Sequence, residues 1–338
     1  MKKKKIIIAG AVVLIAAVIA GFCIKPVKQF FADRKTAEKT GFYMDTVVTA
    51  GITGENCDET ADAVFNAIQV LEEFCLSKTA EGSDIYELNE KRKYEVTDST
   101  LAVLEKSLEV CKKSGGALDI GIGTLVDLWN VKNRQAPPSQ EEIDALGGSS
   151  YEGIAIDKNE VTLTDGVKID LGAVGKGAAC DSTRDICALS GVKRAVISVG
   201  GSVLLYGDGE FTVGIASPET GSADYIAVLT TGAGFVSTSG TYERFFDYEG
   251  KRYHHILDPE TGYPVDNGLC SVTVVSDSGI LSDALSTACF VLGLEDGMKL
   301  CEEYGCQAVF ITDDGKIYTT DGIRDSLEIS DDSFSFAD

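Results

Sequence analysis

The stretch VKIDLGAVGKGAACD, residues 167–181, joins a predicted β-strand to a predicted helix through a glycine-rich loop. Gly172, Gly175 and Gly177 lie in this loop, where glycine lets the backbone approach a ligand closely. The helix N-terminus and Lys176 together favour binding of an anion. The spacing of the glycines matches neither a dinucleotide fingerprint nor a P-loop, so a purely structural turn stays an alternative.

Outward from this stretch, the chain alternates between short β-rich runs and helical patterns. Helices are predicted over 58–76, 98–113, 175–190, 280–292 and 295–304, with Asp58 as the cap of the first and Phe74 on its apolar face. The predicted strands are GIAI, EVTLT, VKIDL, RAVISVG, FTVGIA, YIAVLTT, GFVSTS, YERFFDYEGKRYHHIL, SVTVVS and the hairpin QAVFITDDGKIYTT. Strands in runs with interspersed helices indicate an α+β fold with largely antiparallel sheets and flanking helices.

Composition excludes some classes of protein. The 338 residues carry a net charge of −23, which argues against an electrostatic grip on nucleic acid. A ligand that carries phosphate would therefore need local help from a metal ion or a helix N-terminus. The 10 cysteines are scattered without zinc-ligand or redox spacing, so most are expected to be buried, small apolar residues.

The N-terminus predicts a membrane segment. Lys2–Lys5 precede 19 uncharged residues, 6–24, which are long enough as a helix to cross a bilayer. The basic flank predicts an N-terminus inside the cell and a body outside the membrane. An uncleaved anchor is favoured over a lipid on Cys23. The expected organisation is given by four ranges: anchor 1–24, tether 25–40, one catalytic domain 41–328, and acidic tail 329–338.

A second group of candidate residues lies in SDSGILSDALSTACFVLG, residues 276–293. Asp283 and Thr287 are four residues apart and share a helix face. A carboxylate and a hydroxyl are hard oxygen ligands, which suit Mg²⁺ better than Zn²⁺. The alternative is that Asp283 interacts with the helix dipole and Thr287 is a packed helix residue.

Both histidines of the chain are adjacent, at positions 254 and 255, in the segment 237–265. Histidine exchanges protons near neutral pH more readily than other side chains, so this position is a candidate site of acid–base chemistry. Strand alternation would send His254 and His255 to opposite faces, so at most one of them points into a given pocket.

The segment GGALDIGIGTLVDLW, residues 115–129, contains two carboxylates in an apolar, glycine-rich context. A buried carboxylate needs a partner, so Asp119 either binds a ligand donor or caps a turn. The residues alone leave the roles of Asp119 and Asp127 undecided.

Taken in order, these segments resemble the ApbE family of flavin transferases. The resemblance rests on Met44-Asp45-Thr46, LDIGIGTLVDLW, DLGAVGKGAACD, SVGGS, STSGTYERFF, YHHILDPETGYPV and SDALSTA. It implies an ApbE-type fold around a flavin cleft, with FAD as substrate and Mg²⁺ as cofactor. It further implies metal ligation by the carbonyl of Ala173 and the side chains of Asp283 and Thr287, and catalysis by His255 and Asp283. The FAD contacts that it implies are Met44, Ala117, Leu118, Asp119, Lys176, His255 and Ile256.

The reaction that the resemblance implies moves FMN from FAD to a protein hydroxyl and releases AMP. The expected acceptor is an extracytoplasmic or membrane redox protein with an Asp-x-x-Ser/Thr-Gly/Ala-Ala-Thr motif. Asp45 and Thr124 depart from residues common in the family, and the segment LSKTAEGSD, residues 76–84, lacks the aromatic residue often found near Thr79. These positions lie near the expected flavin contacts. Two alternatives stay open: an FAD pyrophosphatase that gives FMN and AMP, and an anchored FAD-binding protein without activity.

Overall fold

The computed structural model of the protein describes residues 35–148, 150–218 and 225–337. The predicted anchor, residues 1–24, and most of the predicted tether lie outside the described residues. Within the described ranges, no helix combines the length and the apolar character needed to cross a bilayer. The prediction of a mixed α+β fold with largely antiparallel sheets is confirmed.

One nine-stranded sheet organises the described residues. In chain order the strands are β1 (Thr36–Tyr43), β2 (Thr46–Thr53), β3 (Lys93–Glu95), β4 (Ile154–Asp157), β5 (Glu160–Leu163), β6 (Arg194–Val199), β7 (Ser202–Gly207), β8 (Phe211–Ala216), β9 (Tyr225–Thr231), β10 (Gly234–Gly240), β11 (Phe245–Tyr248), β12 (Lys251–His254), β13 (Leu269–Ser276), β14 (Gln307–Thr312), β15 (Lys316–Thr319), β16 (Leu327–Ile329) and β17 (Ser335–Phe336). The sheet has the order β1-β2-β6-β7-β10-β13-β14-β15-β17. Its neighbouring strands are antiparallel except for β15 and β17.

The five predicted helices are confirmed, and the described residues form three further α-helices, over 84–91, 123–129 and 140–144, that were not predicted from the sequence. In chain order the helices are α1 (Cys57–Val70) with a π-helical continuation (Leu71–Leu76), α2 (Asp84–Lys91), α3 (Asp98–Lys113), α4 (Gly123–Trp129), α5 (Gln140–Asp144), α6 (Gly175–Ser190), α7 (Gly279–Leu292) and α8 (Leu294–Glu303). Helices α6 and α7 pack against each other, and α7 also packs on β10 and β13. This packing holds the start of α6 beside the candidate metal ligands of α7.

The two faces of the main sheet bury different cores. In β14, Ala308 and Phe310 pack into the main core with the helices, whereas Val309 and Ile311 pack into a second core. Side chains alternate between the two faces of a strand, so this division follows from the pleat. The second core also contains residues of the smaller sheet β16-β9-β8, which covers that side.

The apolar segment VKIDL, residues 167–171, is buried but is not a strand, so that prediction is wrong. Its only bridge in the described structure joins Lys168 to Ile122. Asn89 replaces a strand partner, because its amide donates to the carbonyl of Ile169 at 2.9 Å and its amide oxygen accepts the Ile169 N–H at 2.7 Å. An apolar run indicates burial, and a side chain here satisfies the backbone that a ladder would otherwise pair.

Both ends of the predicted domain need correction. The predicted tether, 25–40, overlaps the main sheet, because Thr36 already begins β1, which pairs with β2. The described part of the predicted acidic tail, residues 329–337, also belongs to the fold, because β17 pairs with β15. Phe334 and Phe336 pack against the second core, and this apolar contact holds an otherwise acidic segment in place.

Two details of α1 also differ from prediction. The N-cap is Asn56, and Asp58 lies in the first turn instead. Phe74 is 58% exposed and does not join the apolar face. It lies in the π-helical continuation, whose wider turn changes the direction of each following side chain.

Candidate functional site

A cavity of about 2790 Å³ runs along the main sheet and collects most of the predicted site residues. The site residues that line it are Met44, Ala117, Leu118, Asp119, Ala173, Lys176, His255, Ile256 and Thr287. Asp283 does not line the cavity, since it is 1% exposed and lies behind Lys176. The fold thus brings residues from distant parts of the chain to one cleft.

A close crossing of α6 and α7 positions the candidate metal carboxylate. A Cβ on Gly177 would lie 2.0 Å from the carbonyl oxygen of Gly279, so glycine is required where the helices touch. The crossing lets the Gly177 N–H donate to Oδ2 of Asp283 at 2.8 Å. Ser202, in β7, donates to Oδ1 of the same carboxylate at 3.1 Å. The ammonium of Lys176 lies 3.3 Å from Oδ1.

Hydroxyl groups line the contact between β10 and α7. Ser237 bonds to Ser282 at 2.8 Å, and Ser239 bonds to Ser286 at 2.8 Å. Ser239 also lies 3.1 Å from Oγ1 of Thr287. Sequence reasoning missed this ladder. The alternation Ser237-x-Ser239 in a predicted strand was the available signal, because both side chains must face the same way.

The candidate donors fit a magnesium ion. They are one carboxylate, from Asp283, one hydroxyl, from Thr287, and one loop carbonyl, from Ala173. The described residues contain no cluster of three or more His, Cys, Asp or Glu side chains suited to a metal. A set of few hard oxygen donors suits Mg²⁺, which keeps waters and takes phosphate oxygens to complete its coordination.

The turn between β1 and β2 brings Met44 to the start of α6. Met44 and Asp45 have φ values of 49° and 61°, so both occupy the left-handed region in a two-residue turn. The methyl group of Met44 lies 3.4 Å from the point where a Cβ on Gly175 would stand. This turn therefore closes one wall of the cleft beside the helix N-terminus.

The two carboxylates of residues 115–129 both have partners in the structure. Oδ1 of Asp119 accepts the N–H groups of Gly121 at 2.7 Å and Tyr151 at 2.8 Å, so Asp119 caps a turn. Burial raises the pKa of Asp119 to about 6 despite these bonds. Asp127 pairs with Lys78 and Lys168 at the edge of the cavity.

The two histidines point in different directions, as predicted. His254 is buried, and its Nε2 lies 2.9 Å from the carbonyl oxygen of Val265. His255 lines the cavity, and its Nδ1 lies 3.3 Å from the carbonyl oxygen of Arg244. A carbonyl only accepts hydrogen bonds, so Nδ1 carries the proton and Nε2 is left as an acceptor.

His255 is held in its neutral form. Burial lowers its pKa to about 3, and the nearby charges of Arg244 and Lys176 act in the same direction. A neutral imidazole with a free Nε2 can accept a proton from a hydroxyl group placed in the cleft.

Sequence reasoning also missed a group of charged residues at the mouth of the cleft. Arg244 lies 3.3 Å from Oδ2 of Asp45, and Lys132 pairs with the same carboxylate. Glu243 lines the cleft beside Arg244. These residues come from three separate loops. The quoted motifs contain Asp45, Glu243 and Arg244, but no pattern in the sequence pointed to Lys132 or to the meeting of the four residues.

Comparisons with known proteins identify the family. A family model described as the ApbE family matches residues 44–310. The FAD:protein FMN transferase of Treponema pallidum is 34% identical over 300 residues, which cover 81% of this chain and 82% of that protein. The FAD:protein FMN transferase of Klebsiella pneumoniae is 33% identical over 261 residues, covering 75% of this chain and 82% of that protein.

Solved structures are similar in fold. The ApbE protein of Thermotoga maritima superposes with a TM-score of 0.78 at 30% identity, covering 86% of this chain and 99% of that one. The flavin transferase ApbE of Vibrio cholerae superposes with a TM-score of 0.77 at 23% identity, covering 87% of this chain and 100% of that one. The second likeness concerns the fold alone.

Proposed function

The chain belongs to the ApbE family, and on that premise we propose that it is an FAD:protein FMN transferase that requires Mg²⁺. The enzyme class follows from the curated relatives, which are transferases of this kind. The requirement for Mg²⁺ and the nature of the acceptor go beyond what the names of these relatives state. The observation that carries this extension is a neutral His255 in the same cleft as Thr287 and Ala173, with the carboxylate of Asp283 buried beside Lys176 of that cleft.

Different residues of the cleft are proposed to bind the metal ion, the phosphates and the rest of FAD. Asp283, Thr287 and the carbonyl of Ala173 would hold Mg²⁺, which would offset the charge of the FAD pyrophosphate and of the leaving AMP. Lys176 and the N-terminus of α6 bind phosphate oxygens. Met44, Ile256 and residues 117–119 provide the remaining contacts with FAD.

The transfer step uses His255 as the general base. Nε2 of His255 accepts the proton of a threonine or serine hydroxyl on the acceptor protein. The hydroxyl oxygen attacks the phosphorus on the FMN side of FAD, and the bond from that phosphorus to the AMP oxygen breaks. The products are a phosphoester-linked FMN and AMP.

The acceptor is proposed to carry the Asp-x-x-Ser/Thr-Gly/Ala-Ala-Thr motif. A water molecule in place of the hydroxyl would make the same site an FAD pyrophosphatase, because the same metal and base serve both reactions. An FAD-binding protein without activity is the third reading, and it would leave the candidate metal donors and His255 without a use.

Intact-mass spectrometry separates these readings. The protein is incubated with FAD, Mg²⁺ and an acceptor domain that carries the motif, while AMP is measured in parallel. A gain of one FMN on the acceptor, lost on chelation, supports the transferase. AMP without a mass gain supports the pyrophosphatase. If neither AMP nor a mass gain appears, both enzymatic readings are contradicted.

The N-terminal segment supports a location for this activity. Lys2–Lys5 and the uncharged residues 6–24 favour a single-pass anchor, or a lipid on Cys23, with the catalytic domain outside the membrane. Protease added to intact spheroplasts should then digest the domain. Protection from protease until the membrane is permeabilised would contradict this orientation.

A further inference from the structure

We propose that Lys176 serves as a built-in counter-ion of Asp283 that a divalent cation displaces, and that Glu243 is the carboxylate that receives the displaced ammonium group. The proposal rests on the metal site of the proposed function. It adds two residues that set the affinity of that site, and it explains how an anion as buried as Asp283 is compensated before a metal binds.

The buried charge of Asp283 needs a partner. Its carboxylate is 1% exposed, and an isolated charge in such a place is strongly unfavourable. Gly177 and Ser202 donate hydrogen bonds to it, but both donors are neutral. Within the described ranges, Lys176 is the cation within ion-pair distance of Asp283, at 3.3 Å.

The ammonium group of Lys176 lies where the metal ion is proposed to bind. Nζ of Lys176 lies 3.3 Å from Oδ1 of Asp283 and 3.4 Å from the carbonyl oxygen of Gly172. Gly172 immediately precedes Ala173, whose carbonyl is a proposed metal ligand. The ammonium therefore occupies the space between the loop and the carboxylate, where Mg²⁺ would bind, so the two cations compete.

Glu243 is the carboxylate available to receive the displaced ammonium group. It lines the same cavity as Lys176, and its Oε1 lies over Gly201. The next residue, Ser202, donates to the Oδ1 of Asp283 that Lys176 approaches, so the two carboxylates lie on either side of one strand end. The described residues include no ion pair shorter than 4 Å to Glu243, which leaves its carboxylate free to accept Lys176.

The backbone of a tight turn positions Glu243 in the cleft. Its Oε1 lies 2.8 Å from the point that a Cβ on Gly201 would occupy, so the carboxylate sits over the turn between β6 and β7. A side chain at position 201 would push the carboxylate away. Glu243 and Lys176 both line the cavity, which gives the long lysine side chain an open path between the two carboxylates.

The test is a Mg²⁺ titration by calorimetry at pH 8, with the full chain in detergent and without FAD. Lys176→Met should bind Mg²⁺ roughly tenfold more tightly because the competing cation is gone. Glu243→Gln should bind roughly fivefold more weakly because the displaced lysine has no receiver. In the Lys176→Met background, Glu243→Gln should change the affinity by less than about twofold, because its effect acts through the lysine.

Controls separate this proposal from its premise. Lys132→Met removes a cleft cation that pairs with Asp45, and it should leave the Mg²⁺ affinity within about twofold of the wild type. Asp283→Asn should abolish binding, and unchanged binding in that variant would overturn the metal site of the proposed function itself. Thermal melts check folding, and Lys176→Gln is the second variant if the methionine is poorly tolerated.

Two results would overturn the counter-ion proposal while leaving the metal site intact. In one, Lys176→Met and Lys176→Gln bind Mg²⁺ no more tightly than the wild type, so Lys176 does not compete. In the other, Glu243→Gln weakens binding equally in both backgrounds, so Glu243 acts on the metal without the lysine.

Discussion

At the residue scale, Asp283 has both a proposed role in metal binding and a structural role in the fold. It is a proposed metal ligand, and it also accepts bonds from Gly177 and Ser202 and pairs with Lys176. A side chain with that many buried partners cannot be removed without a cost in stability. Loss of activity in an alanine variant would therefore have two explanations.

Asp283→Ala should lower the free energy of unfolding by about 3 kcal/mol, since it leaves a buried cation and an N–H without a partner. Asp283→Asn keeps an acceptor for the Gly177 N–H and should cost about 1 kcal/mol. Both variants should lose FMN transfer. Urea unfolding and intact-mass assays measure the two effects, and transfer retained by the asparagine variant would contradict the proposed ligand.

The lowered pKa of His255 predicts how kcat/KM depends on pH. Its pKa is lowered to about 3 from an ordinary value of 6.5, so the neutral base persists throughout the physiological range. The profile of kcat/KM, which reports groups of the free enzyme, should show no inflection from His255 between about pH 5 and 8. An inflection near pH 6.5 that disappears in His255→Asn would contradict the lowered pKa of His255.

The same lowered pKa affects stability. Between about pH 6.5 and 3 the unfolded chain binds a proton at His255 and the folded chain does not, so folding becomes weaker as the pH falls through this range. The stability difference between pH 7.5 and 5 should be smaller in His255→Asn. The comparison with the variant is needed because Asp119, whose pKa is raised to about 6, acts in the opposite direction.

At the element scale, an aromatic cluster holds the hairpin that leads to His255. Trp129, at the end of α4, stacks on Tyr253 with ring centroids 5.8 Å apart and contacts Phe246 and Tyr263. Its indole N–H donates to the carbonyl of Gly262 at 2.7 Å. The cluster thus fixes the β11–β12 hairpin against α4, and the base follows immediately after β12.

Trp129→Phe should lower the free energy of unfolding by about 2 kcal/mol, because the buried carbonyl of Gly262 loses its donor. Transfer should fall by roughly tenfold because a shift of the hairpin moves His255. Phe74→Ala is the control, since Phe74 is 58% exposed and should change neither quantity. Wild-type activity in Trp129→Phe would show that the hairpin is held by other contacts.

The crossing of α6 and α7 is a second element on which the site depends. Gly177→Ala should lower the free energy of unfolding by about 1–3 kcal/mol, since the added Cβ overlaps the carbonyl of Gly279. It should also weaken Mg²⁺ binding by moving α6 from Asp283. Gly51→Ala, at a strand position with open space, is the matched control. Equal effects of the two substitutions would contradict a special role for the crossing.

At the scale of the whole molecule, the cysteines belong to the core. The nine cysteines in the described part of the chain are free and buried, as the sequence predicted. Burial raises the pKa of several of them, including Cys111 and Cys306 to about 12. Even Cys289 and Cys301, with sulfur atoms 3.4 Å apart, are fully buried.

The folded protein should therefore not react with a thiol reagent such as Ellman's reagent at pH 8, apart from Cys23, which lies outside the described residues. In Cys23→Ala, folded protein should show no reactive thiol, and the signal should appear only on denaturation. Rapid labelling of folded Cys23→Ala would contradict the burial of the thiols.

The sequence by itself determined the elements and the candidate donors. Helical periodicity and strand alternation are local properties, so five of the helices, the hairpin QAVFITDDGKIYTT and the shared face of Asp283 and Thr287 could be predicted, whereas α2, α4 and α5 were missed. The order of motifs also identified the family. The error at VKIDL arose because burial alone does not distinguish a strand from an irregular segment.

The tertiary structure alone decided which elements meet. Ser202, Glu243 and Asn89 act on partners that are far away in the chain, and no local pattern marks such contacts. The pairing of β17 with β15 likewise depends on an apolar surface that forms only after the sheet has assembled. Local propensity determines how a segment folds, whereas long-range packing determines what it contacts, and the charge balance around Asp283 follows from those contacts.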